Sequence, residues 1–158
     1  MEEKIADIVE KYADILFRVA LQHVKNYSDA EDIVQDVFLR CYLNEQLMCY
    51  DNDRLKAWLL RVTINRCKDL HKTVWRKRVS IESEDDFLRT LASPEEFTEE
   101  YIDFLNGLRR LSFNERNVVY LDYLGYKNRE IAEILHMNQN SVNTKLQRAR
   151  KKIQEFVR

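Results

Sequence analysis

Apolar residues recur along this chain at helical intervals. Ile5, Ile8, Val9, Tyr12, Ile15, Leu16, Val19 and Ala20 follow one another in steps dominated by three and four, which places them on one face and predicts a first amphipathic helix running to about Lys25. Ser28 with Glu31 three residues on makes a capping-box pattern, so a second helix should open there, with its stripe at Ala30, Ile33, Val34, Val37, Phe38 and Cys41. A polar stretch from Asn44 to Asp53 breaks the period. A third helix is predicted over about Leu55 to Arg76, with Trp58 in the core beside Leu55, Leu59 and Val62.

Residues 79–92, VSIESEDDFLRTLA, lack a helical period and are rich in Ser and acidic residues, the pattern of a linker. Ser93, Pro94, Glu95 and Glu96 then read as a helix start: Ser caps, Pro suits the first position, and carboxylates favour the positive helix end. Phe97, Tyr101, Phe104, Leu108 and Leu111 should share its face. Ser112 and Glu115 form a second capping box, opening a helix that ends near Gly125. Asn128 and Asn138 are the predicted caps of two final helices, so the second domain is a four-helix unit.

Composition sharpens this into a fold class. Two glycines and one proline in 158 residues are too few for a chain of tight turns, so an all-α protein is expected, built as two small helical domains joined by a flexible acidic linker. The domains span residues 1–78 and 94–158, with 79–93 between them. Charge is distributed in blocks: net −7 over residues 1–53, +8 over 54–79, −8 over 80–106 and +6 over 107–158. Two basic blocks separated by an acidic one suit two anionic contacts made by two modules, although charge clustering on solvated helices gives the same pattern. The three cysteines, Cys41, Cys49 and Cys67, have no C-x-x-C spacing, and the N-terminus lacks the pattern of a secretory leader. A cytoplasmic protein with reduced thiols and no membrane insertion is expected.

Three helical faces could carry function. On the last helix, Val142, Leu146, Ala149, Ile153 and Phe156 form the packing side. Asn140, Asn143, Thr144, Gln147 and Lys151 lie opposite, flanked by Arg148 and Arg150. Amide and guanidinium groups can pair with base edges and cations with phosphates. Ile131, Ala132 and Leu135 on the preceding helix can pack against it, giving the form of a helix-turn-helix. On the third helix, Arg61, Asn65, Lys68 and Lys72 fall on one stripe, with Trp75 and Arg76 near its end and Tyr50 in the loop before, a set suited to single-stranded nucleic acid. On the second helix, Asp32, Asp36, Leu39 and Leu43 share a face outside the main stripe, a candidate protein interface. Cys67 and His71 are four apart but have no further pair to close a metal site, and no phosphate-binding loop or nucleophile elbow occurs. No catalytic residue, metal or cofactor is expected.

The segments DAEDIVQDVFLRCY (29–42) and KAWLLRVTINRCKDLHK (56–72), together with the C-terminal hairpin at 128–152, resemble extracytoplasmic-function sigma factors of bacterial RNA polymerase. The resemblance covers nearly the whole chain in order. It implies that residues 1–78 form sigma domain 2 and residues 94–158 sigma domain 4, in a protein that is monomeric when free. Core RNA polymerase, promoter DNA and an anti-sigma factor are the implied partners. Asp32, Gln35, Asp36 and Leu39 match polymerase-binding positions. The third helix and the loop Cys49 to Arg54 match the elements that recognise and open the minus 10 promoter element, with Asn65 at an implicated position. Asn143, Thr144, Gln147 and Arg148 match positions that read the minus 35 element, with Lys145 and Arg150 nearer phosphates. The chain departs from the usual pattern with His136 and Asn140 where glycine is common, and with Asn143 where a basic residue is frequent. A dimeric helix-turn-helix regulator, which would read a palindrome without polymerase, is the alternative.

Overall fold

The computed structural model describes residues 2–24, 26–74 and 98–157. Every regular element among them is helical, and the chain divides into two compact units, Met1–Ile81 and Glu82–Arg158.

In the first unit, α1 (Glu2–Leu21), α2 (Tyr27–Leu43) and α3 (Asn52–Val74) pack pairwise on one another. Leu16, Leu21, Val37, Leu59 and Leu60 are sealed in the centre, each contributing about 1.5–3 kcal/mol relative to exposure. All six stripe residues expected on α2 are buried. On α1, Ile8, Tyr12, Leu16, Val19 and Ala20 are buried, while Ile5, Val9 and Ile15 sit half-buried at its margin.

The ends of these helices differ from expectation for local reasons. α1 stops at Leu21, where the Gln22 and His23 amides bond back to Val19 and Ala20 in tighter turns. α2 begins at Tyr27 because Asn26 caps it: its backbone is extended, its Oδ1 accepts from the Asp29 amide at 2.7 Å, and its Nδ2 donates to the Asp29 carboxylate at 2.9 Å. The predicted Ser28–Glu31 cap is thus pre-empted by an asparagine two residues earlier. The polar interval holds a short 3₁₀ turn (Glu45–Cys49) whose Leu47 is buried. Asp51 then caps α3, accepting from the Arg54 amide at 2.7 Å, and the helix begins at Asn52, three residues before the predicted Leu55. Trp58 is half-buried, at the edge of the core instead of inside it.

The second unit contains α4 (Glu99–Leu108), α5 (Phe113–Tyr123), α6 (Asn128–Leu135) and α7 (Gln139–Val157). Thr98 has extended dihedrals and its Oγ1 accepts from the Tyr101 amide at 3.1 Å, so the helix carrying Tyr101, Phe104 and Leu108 begins at Glu99. Residues 93–97 lie outside the described residues, and Leu111 is buried just beyond the helix end. Both bonds of the Ser112–Glu115 capping box form. Arg116 reaches back to the carbonyls of Leu108, Arg109 and Leu111 at 2.9, 3.3 and 3.2 Å. This ties down the carbonyl end of α4, and burial together with nearby Arg109 pushes the guanidinium down to about 10.

α7 packs on the other three helices of its unit, with Val142, Leu146 and Ala149 buried. Ile153 is half-buried; the side chain of Phe156 lies outside the described residues. Gly107 permits the close approach of α4, since a Cβ there would sit 3.2 Å from Ile153 Cγ2. On α6 the buried set is Ile131, Ala132 and Ile134, while Leu135 is half-buried, so the inward face is rotated by one position from the predicted set.

Candidate nucleic-acid interface

Two turns of the second unit determine where α6 and α7 point. α5 ends in a Schellman motif, with Tyr126 N–H donating to Leu121 O at 3.1 Å and Gly125 N–H to Asp122 O at 3.0 Å around Gly125 at φ 100°. α6 ends in the same motif, with Met137 N–H donating to Ala132 O at 2.9 Å and His136 N–H to Glu133 O at 3.4 Å. Here the left-handed residue is His136, at φ 53° and ψ 47°. The turn therefore forms without glycine, because histidine is among the residues that enter this region more readily than most. Asn140 needs no such freedom: it lies inside α7, whose start is capped by Asn138 Oδ1 accepting from the Asn140 amide at 2.7 Å. At the other end of the hairpin, Lys127 and not Asn128 is the cap residue of α6, its amide donating to Glu130 Oε1 at 3.0 Å.

Asn140, Thr144, Gln147, Arg148, Arg150 and Lys151 are exposed on α7, and Asn143 and Lys145 are half-buried. Several already have work within the fold. Thr144 Oγ1 donates to Asn140 O at 3.0 Å, leaving its lone pairs and methyl outward. Arg150 pairs with Asp122 of α5 at 2.8 Å. Asn143 Oδ1 accepts from Asn128 Nδ2 across the hairpin, which gives Asn128 a role that its sequence position suggested only as a cap. Behind this surface, Lys152 pairs with Glu115 at 3.0 Å and joins α7 to the first turn of α5.

In the first unit, Arg61 is half-buried, and Asn65 and Lys68 are exposed. Their four- and three-residue steps put them on one side of α3 over about 10 Å of axis. Lys72 lies in α3, but its side chain is outside the described residues, as are Trp75 and Arg76 altogether. The loop before α3 is held from α1: Lys4 Nζ donates to Met48 O, and Tyr12 Oη donates to Asn52 O at 3.4 Å. Tyr50 is half-buried, and the Arg54 guanidinium stands 4.0 Å from its ring centroid, covering one aromatic face. That cation–π pair fixes the ring against the first turn of α3. Arg54 was not singled out in the sequence; an arginine four residues from an aromatic across a helix start was the available signal.

On α2, Asp32, Gln35 and Leu39 are exposed, and Tyr42 and Leu43 extend the apolar part of that surface. Asp36 behaves differently. Its Oδ2 lies 3.0 Å from Arg40 Nε and 2.8 Å from Arg66 Nε of α3, close ion-pair contacts without hydrogen-bond alignment at Arg66. Asp36 therefore joins two helices as well as facing outward. Burial pushes the Cys67 thiol up to about 12, which keeps it protonated and a poor metal ligand. Among the described residues no group of three or more His, Cys, Asp or Glu could hold a metal, and no helix is long and apolar enough to cross a membrane.

Known proteins match this arrangement unit by unit. Residues 8–77 match Sigma-70 region 2, and residues 102–153 match Sigma-70, region 4. The ECF RNA polymerase sigma factor SigM of Bacillus subtilis is 27% identical over 157 residues, spanning 94% of this chain and 92% of that protein. Two solved structures share the fold. CnrH, in complex with the cytosolic domain of CnrY, superposes with a TM-score of 0.72 at 23% identity, covering 99% of this chain and 89% of that one. The sigma factor RpoE of Bartonella quintana, in complex with the anti-sigma factor NepR, gives 0.71 at 20% identity, covering 98% and 97%. With both regions present in order and in separate units, the chain belongs to the sigma-70 family as an extracytoplasmic-function sigma factor, an alternative factor that recognises promoters in transcription initiation.

Proposed function

We propose that the two units divide promoter recognition between them: residues 1–78 act as sigma domain 2 on core RNA polymerase and the minus 10 element, residues 94–158 act as sigma domain 4 on the minus 35 element, and residues 79–93 link them. The observation that carries this reading is the presence, in each unit, of one helix whose outward side is amide and cation while its inward side is core. On α7, Asn140, Asn143, Thr144, Gln147 and Arg148 face base edges, and Lys145, Arg150 and Lys151 lie nearer phosphates. On α3, Arg61, Asn65, Lys68 and Lys72 track the opened strand, with Tyr50, Trp75 and Arg76 at its ends. Asp32, Gln35, Asp36 and Leu39 meet the polymerase. The protein is a cytoplasmic monomer until it binds, carries no cofactor, and hydrolyses nothing; melting is driven by binding to the opened strand.

An anti-sigma factor is proposed as a further partner, on the precedent of the RpoE–NepR complex. A regulator that shields both units would silence both contacts together.

The test is initiation from a genomic promoter library by core polymerase with and without the purified chain. Transcripts that depend on the chain and share two unlike upstream boxes are expected; no dependent transcript, or tight binding to a palindrome without polymerase, refutes the reading. Arg148→Ala should weaken upstream-box binding and lower the salt slope, log K against log salt, by about one. An unchanged slope would remove Arg148 from the interface.

A further inference from the structure

One side chain of the helix-turn-helix is held from outside its own helix. Asn128, in the first turn of α6, donates from Nδ2 to Oδ1 of Asn143, in the second turn of α7, and both residues are half-buried. An asparagine amide has one acceptor oxygen and two donor hydrogens on nitrogen. With one lone pair of Oδ1 taken by α6 and both Nδ2 hydrogens uncommitted, donation from Nδ2 is the larger part of what Asn143 has left for DNA. We infer that Asn128 is a positioning residue that fixes the amide orientation of Asn143 and thereby sets which base α7 selects. The edge it favours is rich in acceptors, guanine N7 and O6 or thymine O4.

This inference rests on α7 being the minus 35 reader. An asparagine free to rotate can use oxygen and nitrogen together on adenine. Here one lone pair of the oxygen is already taken, so that fork is weakened and acceptor-rich edges gain. The neighbouring Thr144 is constrained in the opposite sense, because its hydroxyl hydrogen is used by Asn140 O. Asn143 is therefore the donor in this part of the surface and Thr144 the acceptor, a polarity imposed from within the fold.

The experiment uses the full chain assembled with bacterial core RNA polymerase, selected on a promoter library randomised across the upstream box. For the unsubstituted chain, one base pair should show about a ten-fold preference for guanine or thymine, and Asn143→Ala should flatten it. Asn128→Ala should reduce the preference at that same base pair to about three-fold or less, leaving other positions unchanged, and the double variant should lose no more than Asn143→Ala alone. Asn128→Asp replaces the donor with an acceptor, so the Asn143 amide turns over, Oδ1 faces the groove, and the preference moves toward cytosine or adenine, whose amino groups donate. The inference is overturned if Asn143→Ala leaves the preference intact, if both Asn128 variants do so, or if Asn128→Ala weakens all sequences equally, the mark of a backbone contact. No preference anywhere in the upstream box for the unsubstituted chain overturns the minus 35 reading as well, which separates the two failures.

Discussion

The second unit uses the same helix-ending motif twice, once with glycine and once with histidine, and this allows the conformational term to be isolated. His136→Gly should stabilise the C-terminal unit. A left-handed conformation costs an L-residue about 1–2 kcal/mol, while introducing glycine loses about 0.4–1 kcal/mol through the entropy of the unfolded chain. The net gain is about 0.5–1 kcal/mol. The His136 side chain is exposed, so little packing is lost to offset it. Gly125→Ala runs the comparison in reverse: its φ of 100° is poorly reached by any side chain, and the added Cβ would have no atom within 4 Å. Its cost, about 1 kcal/mol or more, is therefore conformational and not steric. Both tryptophans, Trp58 and Trp75, lie in the N-terminal half, so their fluorescence does not follow this unit. Native-state hydrogen exchange of amides in α5, α6 and α7 does, alongside helical circular dichroism. A His136→Gly variant that exchanges as fast as the unsubstituted chain, or faster, would show that the histidine side chain contributes something that the exposed geometry does not contain.

Two further predictions follow from pairs and faces. Burial of Glu115 works against its ionisation, but hydrogen bonds from Lys152 and Ser112 and the charge of Lys152 outweigh it, holding the carboxyl below its usual range. Its contribution is thus present above the unfolded carboxylate pKa and lost as pH falls through the depressed folded value. Glu115→Gln should cost about 1–2 kcal/mol near pH 7, and urea titrations should show the difference closing in acid; a difference that persists at low pH would refute the linkage. Leu39 is 55% exposed, so Leu39→Asp should leave the melting of the N-terminal unit unchanged while weakening core polymerase binding about ten-fold, the loss of one apolar anchor. Equal binding by both forms in a fluorescence titration would remove Leu39 from the interface.

Much of the fold was legible because buried stripes repeat at helical spacing. The six inward residues of α2, the Ser112–Glu115 box and the turn at Gly125 all emerge from local pattern. The helix starts were less legible where two capping residues compete. Asn26 prevails over Ser28 because its amide makes two bonds to Asp29, and no periodicity encodes that choice. The exposure of Asn65 and Lys68 on α3 and of Asn140, Thr144, Gln147 and Lys151 on α7 was likewise visible, since outward residues follow from inward ones. Their internal commitments were not. Asn128 to Asn143, Arg150 to Asp122 and Asp36 to Arg66 join residues 15, 28 and 30 positions apart, and these long-range pairs determine which polar groups in a stripe remain available to a partner.

Asp36 carries a consequence for genetics. One carboxylate serves the outer surface of α2 and also braces α3 through Arg66. A screen for variants that fail to capture polymerase would return Asp36 whether or not it touches the enzyme, because its loss disturbs the opposite helix too. Suppressors then divide by location: changes at Arg66 or its surroundings repair the brace, whereas changes on the polymerase repair a lost contact.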